Sequence, residues 1–156
     1  MGRVAFGIAL IGLLAASTAA RARGLTCWDM ASLRYGVPVE ILVAIAKQES
    51  NFNAKAISPP NSNGSRDIGM MQINEWWLPK LEAYGITREK LLDPCINLNV
   101  GAWILSQEFE RHGYTWKAIG AYNAKSPDKR LAYAKHILKH LKTIEQNKQR
   151  AGAYPR

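Results

Sequence analysis

"AIAKQESNFNAKAIS", residues 44–58, carries an apolar helical face straight into Gln48-Glu49-Ser50 and then breaks into a polar stretch. Upstream, Pro38 suits the first position of a helix over "PVEILVAIAKQES", with Ile41, Leu42, Ile45 and Ala46 falling on one stripe. That stripe aims Glu49 inward at the end of the helix. A carboxylic acid serves as a general acid near neutral pH only if its pKa is raised, and burial on an apolar helix end is one way to raise it. Eighteen positions further on, Asp67 lies within "NGSRDIGMMQIN". The preceding "AISPPNSNGSRDIG", residues 56–69, is too rich in Pro, Asn, Ser and Gly for a helix, and it predicts an irregular loop leading into a small hairpin. Two carboxylates facing each other across a cleft are a common arrangement for cleaving a glycosidic bond. Taken alone, a Glu and an Asp at this spacing are also compatible with two ordinary surface residues.

The remainder reads as mostly helical. "CWDMASLRYG" predicts a short helix ending at Gly36, and "TREKLLDP" another at 87–94. "NLNVGAWILSQEFERHG" predicts a longer one, capped by Asn97 and closed by Gly113, and "TWKAIGAY" a short one after it. The last helix is expected from Asp128 to about Gln146, with Leu131, Ala134, Leu138 and Leu141 on its buried stripe and Lys135, Lys139 and Lys142 outside. "QNKQRAGAYPR", residues 146–156, has no apolar period and is expected to be a flexible basic tail. Trp103, Phe109 and Met71 are expected in the core, and His112, His136 and His140 are too scattered to suggest a metal site.

A chain of 156 residues, 47% hydrophobic, suits one compact domain. Its first residues do not belong to that domain. "MGRVAFGIALIGLLAASTAARARG" has an early Arg3, an apolar run from Val4 to Ala16 and small residues beyond, the pattern of a cleaved secretory signal over residues 1–22. The run is too short for a comfortable membrane span, so no span is expected once it is removed. The alternative is an uncleaved N-terminal anchor; in either case the protein leaves the cytoplasm. In an oxidising compartment its two cysteines, Cys27 and Cys95, are expected to pair, the other reading being two buried thiols. The division that follows is a signal at 1–22, a domain at 23–145 and the tail at 146–156.

The net charge of +9 is uneven: from Arg111 to Arg156 there are 11 Lys and Arg against Asp128 and Glu145, which accounts for all of it. A basic flank of this kind attracts anionic polymers or simply keeps a helix face solvated. Export argues against nucleic acid, and no zinc-finger spacing or RNA-binding signature is present.

Four segments in order, "ESNF" at 49–52, "GMMQ" at 69–72, "NLNVGAWIL" at 97–105 and "AYNA" at 121–124, resemble the motifs of the Slt-type lytic transglycosylases over about residues 27–145. The "NGSxDxGxMQIN" loop is similar to that of the small exported transglycosylases encoded with type III secretion, type IV secretion or conjugation machines. "AKQESNFNAKA" and "NGSRDIGMMQINEWW" are also similar to the active-site segments of c-type lysozymes, which sets Glu49 on the catalytic acid and Asp67 on the second carboxylate. Many transglycosylases of this type have only the glutamate and a shorter loop, so Asp67 makes the site intermediate between the two families. In the last motif Lys125 stands where the family has glycine, the residue that adopts positive φ without steric cost.

The resemblance implies a mostly helical α+β, lysozyme-like fold with a small β-hairpin beside the active-site cleft. It implies catalytic Glu49 and Asp67, with Ser50, Ser58, Gln72, Trp76, Trp77, Tyr122 and Asn123 against the sugar. Tyr122 would hold the Glu49 carboxyl by a hydrogen bond, Ser58 would point at the sugar, and the tryptophans would stack on sugar rings. The substrate implied is the glycan strand of peptidoglycan, cut in the periplasm without metal or cofactor, in the service of a secretion or conjugation apparatus. The alternatives are a hydrolytic muramidase and a peptidoglycan-binding assembly factor that has lost turnover.

Overall fold

The computed structural model describes residues 24–152. The secretory signal expected at residues 1–22 lies outside them. Helix α1 (Cys27–Tyr35) starts at a reciprocal cap, in which the Thr26 hydroxyl accepts from the Asp29 amide and the Asp29 carboxylate accepts from the Thr26 amide. Gly36, at φ 64°, ends it. Helix α2 (Val39–Ser50) follows at once; Pro38, expected as its first helical residue, is instead its N-cap, and the helix starts one position later. Leu42, Ala44, Ile45 and Ala46 are its buried face. Left-handed Asn51 and Phe52 close it, their amides donating to Lys47 and Ala46 carbonyls, so Glu49 and Ser50 stand in the final turn.

Strands β1 (Asp67–Ile68) and β2 (Ile73–Asn74) pair antiparallel, Asp67 opposite Asn74, and Ile57 makes one further bridge to Ile68. A 3-10 turn at Glu75–Trp77 leads to α3 (Leu78–Glu82). Of the helix expected at 87–94, a single 3-10 turn at Lys90–Leu92 forms. The cause is Asp93: it is extended and caps the next helix, its Oδ1 accepting from the Cys95 and Ile96 amides at 2.9 Å each.

Helix α4 therefore spans Pro94–His112, and Asn97, expected as its cap, lies one turn inside it and is completely buried. Around α4 pack α1, the hairpin, the 3-10 turn and α5 (Trp116–Asn123), while α6 (Pro127–Gly152) closes the molecule against α2 and α5. Leu42, Ile45, Ile68, Met71, Ile73, Leu98, Leu105 and Ile137 fill the space between, with Phe109 also buried and Trp103 half-buried against them. Cys27 and Cys95 form a disulfide that ties α1 to the first turn of α4.

Two expectations for α6 are corrected. Its buried residues are Tyr133, Ala134 and Ile137, whereas Leu131 and Leu138 are 57% and 36% exposed. The core-facing side is turned toward Tyr133, and two of the four expected leucine-stripe positions face outward. The helix also continues to Gly152, past the expected start of a frayed tail at Gln146. Its crossing of α5 needs Gly120, where an added Cβ would stand 2.8 Å from the Arg130 carbonyl carbon.

Candidate active site

Glu49 opens onto a groove of about 980 Å³. One wall is the polar loop and hairpin, with Asn61, Ser62, Asn63, Ser65, Asp67, Gln72 and Asn74; Trp76 and Trp77 continue it. The other wall is the end of α4 and the turn from α5 into α6, with Arg111, His112, Tyr122, Asn123, Lys125 and Arg130.

Burial at the end of α2 is the main reason the Glu49 carboxyl is pushed up to about 7. The hydroxyl of Tyr133, from α6, donates to Glu49 Oε1 and partly offsets this by favouring the carboxylate, while the charge of Asp67 pushes the other way and favours the proton. Tyr133 itself is raised well above the usual tyrosine range by burial and by Glu49, so it stays a donor. Glu49 thus sits where both protonation states are accessible near neutral pH, the condition for a group that gives a proton and takes one back.

The partner of Glu49 is where the resemblance misled. Tyr122 was expected to hold the carboxyl; its hydroxyl donates instead to the Met71 carbonyl at 2.9 Å, fastening the hairpin turn to α5. Tyr133 does the holding. Its signal in the sequence, an aromatic residue one place before Ala134 on an amphipathic helix, was hidden by the more regular leucines.

Asp67 is oriented by side chains of its own hairpin and loop. Asn74 Nδ2 donates to Oδ1 at 2.7 Å, and Asn61 Nδ2 and Ser58 Oγ donate to Oδ2 at 3.2 and 3.4 Å. Ser58 also accepts from the Asp67 amide at 2.8 Å. Ser58 was expected to point at the sugar; it braces β1 instead and does not line the groove. Ser50 likewise turns away, donating to the Met70 carbonyl at 2.8 Å, so it fixes the end of α2 to the hairpin turn.

That turn, Gly69–Gln72, is held from beneath. Buried Asn97 accepts from the Met71 amide at 2.7 Å and donates to the carbonyls of Ile68 and Leu91 at 2.9 and 2.8 Å. Gly69, at φ 76°, leaves room for this amide: an added Cβ would lie 2.7 Å from Asn97 Cγ. Gln72 has a φ of 47°, a conformation that costs a non-glycine residue on the order of 1 kcal/mol, and its Nε2 donates to the Gly69 carbonyl at 2.9 Å. Strain of this kind persists only where neighbours hold it, and here it presents Gln72 to the groove.

Trp76 is 69% exposed on the groove wall and meets Trp77 edge to face at 4.9 Å between centroids. Trp77 in turn rests on Trp103 of α4 at 5.2 Å. An exposed aromatic face supported by a second and third ring suits stacking on the apolar face of a sugar. At the far lip, Lys125 replaces the family's glycine without backbone strain, because Asn51, Phe52 and Gln72 are the only non-glycine residues with positive φ among the described ones.

With this geometry in hand the relatives of the chain are informative. Residues 26–137 match the transglycosylase SLT domain. The chain belongs to that family. Invasion protein IagB of Salmonella typhimurium (strain SL1344) is 42% identical over 155 residues, covering 92% of this chain and 94% of the relative. Protein IpgF of Shigella flexneri is 40% identical over 129 residues, with 79% and 84% covered. X polypeptide of Escherichia coli is 37% identical over 131 residues, with 78% and 76% covered. Among solved structures, an inactive mutant of the lytic transglycosylase Slt from Pseudomonas aeruginosa superimposes with a TM-score of 0.63 at 20% identity over 79% of this chain; the chain spans 24% of that structure's length. At that identity the match speaks for the fold, which is lysozyme-like as expected. As a member of the SLT family the protein is a lytic transglycosylase, an enzyme of peptidoglycan, which places its work outside the cytoplasm. Among the described residues no helix is long and apolar enough to cross a membrane.

Proposed function

We propose that this transglycosylase cuts the β-1,4 bond between N-acetylmuramic acid and N-acetylglucosamine and leaves a 1,6-anhydro end. The observation that carries the reading is Glu49: one carboxyl, raised to about 7, lining a groove of about 980 Å³ with a tyrosine hydroxyl on its oxygen. Protonated Glu49 donates to the glycosidic oxygen as the bond to the anomeric carbon breaks. Asp67, or the substrate's own acetamido group, stabilises the positive charge developing there. The 6-hydroxyl of the same muramic acid then bonds to the anomeric carbon, and its proton passes to the Glu49 carboxylate. This restores the acid. Gln72, Asn123, Trp76 and Trp77 line the groove and are the side chains proposed to hold the sugar.

A second outcome is favoured by a specific observation, the presence of Asp67 in the groove with its charge acting on Glu49. If Glu49 takes its proton from water, the product is a reducing end and the enzyme is a hydrolytic muramidase. Digestion of purified sacculi followed by mass spectrometry of the released muropeptides decides between the two. Anhydro-ended products are expected; reducing ends alone would establish hydrolysis, and no release at all would leave only a peptidoglycan-binding assembly factor.

The setting proposed is the periplasm, reached by the secretory signal at residues 1–22, with local opening of the wall for a secretion or conjugation apparatus. Support comes from the loop shared with the small exported transglycosylases and from near full-length similarity to a protein named for invasion.

A further inference from the structure

The groove is not electrically uniform. On the wall formed by α4, the one strong cation is already answered: Arg111 pairs with Glu108 at 2.6 Å, and His112 lies 3.8 Å from the same carboxylate. On the turn from α5 into α6, Lys125 and Arg130 also line the groove, and neither forms an ion pair among the described residues. The two are built differently. Arg130 is half-buried, its backbone is seated against Gly120, and its Nε donates to the Ala124 carbonyl at 2.9 Å, so its guanidinium is fixed with the terminal nitrogens free of that bond. Lys125 is exposed, on a strain-free turn two residues after the groove residue Asn123. The opposite wall offers mostly neutral amides and hydroxyls, from Asn61 to Ser65 and from Gln72 to Asn74.

A glycan backbone of N-acetylated sugars is neutral and gives two unpaired cations nothing to bind. The acidic groups of peptidoglycan lie on the substituent of muramic acid, either the lactyl carboxylate itself or the carboxylates of the peptide attached to it. We propose that Lys125 and Arg130 form a carboxylate-reading subsite at the lip of the groove, which selects muramic acid by its acidic substituent. Arg130 supplies a preoriented fork for a planar anion and Lys125 a mobile point charge. The glycine that the family has at position 125 could supply no such charge, so the selectivity would be a property of this chain. The inference rests on the groove being the glycan site.

Binding to three soluble probes tests it, measured with the Glu49→Gln protein so that nothing is cut, with and without Lys125→Ala. The probes are peptide-bearing glycan strands, strands stripped of peptide so that the lactyl carboxylate is free, and a neutral oligomer of N-acetylglucosamine. Loss of the Lys125 charge is expected to weaken binding of at least one acidic probe roughly 2- to 5-fold, the range for one exposed ion pair, and to flatten its salt dependence. The neutral oligomer should be unaffected. Weakening of the first probe assigns the peptide carboxylates, weakening of the second the lactyl group, and weakening of both an undiscriminating site. Equal affinities for all three probes, with and without Lys125, would overturn the subsite while leaving the glycan groove intact. Failure of every probe to bind would overturn the glycan site itself and the subsite with it.

Discussion

At the scale of single residues, the proposed chemistry turns on three groups acting on one proton. Glu49→Gln keeps the shape and the acceptor for Tyr133 but removes the transferable proton, so a loss of about 10² to 10⁴ in rate on sacculi is expected. The same change should stabilise the fold above neutrality. Glu49 has a folded pKa of about 7 against an ordinary value of 4.5, so between those pH values the folded state binds more protons than the unfolded one, and stability falls as pH rises. Above about pH 7 the deficit is complete, about 3 kcal/mol for a shift of this size. Calorimetry should therefore show Glu49→Gln melting higher than the parent at pH 8 and close to it at pH 4; an equal difference at both would refute the linkage. The neighbours move the proton in opposite directions. Tyr133→Phe removes a donor that favours the carboxylate, so the alkaline limb of the rate profile should shift to higher pH, with a rate loss of roughly tenfold or more. Asp67→Asn removes a charge that favours the proton, so the same limb should shift to lower pH, with a loss smaller than that of Glu49→Gln because the proposed reaction leaves the acetamido group to stabilise the developing charge. Shifts in the same direction for both variants would contradict this electrostatic account.

At the scale of elements, the hairpin depends on a residue whose role the sequence disguised. Asn97 precedes an apolar run and has the look of a helix cap, yet the cap is Asp93, visible in hindsight as the Asp-Pro pair where the helix starts. What Asn97 does, joining Met71, Ile68 and Leu91, depends on partners 26, 29 and 6 residues away, and no local pattern reports such a bond. The role of Tyr133 is hidden from local pattern for the same reason, since its partner Glu49 is 84 positions distant. What could be read was local: the stripe that turned Glu49 inward, the turn-rich loop, and the order of helices. Asn97→Ala would leave one buried amide and two buried carbonyls without this partner, at about 1–3 kcal/mol for each group that water cannot reach. A drop in melting temperature is expected together with a loss of rate, because β1 carries Asp67 on the same hairpin. Asn97→Asp should share both defects, since it keeps an acceptor for Met71 but loses both donors. A variant with parental stability and activity would show that the hairpin is held by its strands alone.

At the scale of the whole molecule, the Glu49 groove and the outer helix α1 are separable. Glu49, Asp67 and Tyr133 come from α2, the hairpin and α6, and none of the residues lining the groove belongs to α1. Helix α1 packs on α4 and is tied to it by Cys27–Cys95, a bond closing a separation of 68 residues. On the chain-entropy account, removing a closure of that length returns freedom to the unfolded state worth about 4 kcal/mol. A small domain has a total stability of only about 5–15 kcal/mol, so this bond supplies a large share. The double variant Cys27→Ser/Cys95→Ser should accordingly melt on the order of 10 °C lower than the parent. At low temperature, where the variant is still folded, its rate on sacculi and the pH of its alkaline limb should match those of the parent, because the bond stabilises the frame without touching the groove. Thiol labelling provides the control: the parent should show no reactive thiol until it is reduced. A variant that melts like the parent would mean that packing of α1 on α4 suffices. One that stays folded yet loses rate or shifts its pH profile would mean that the disulfide also sets the position of Glu49 through α1 and α2.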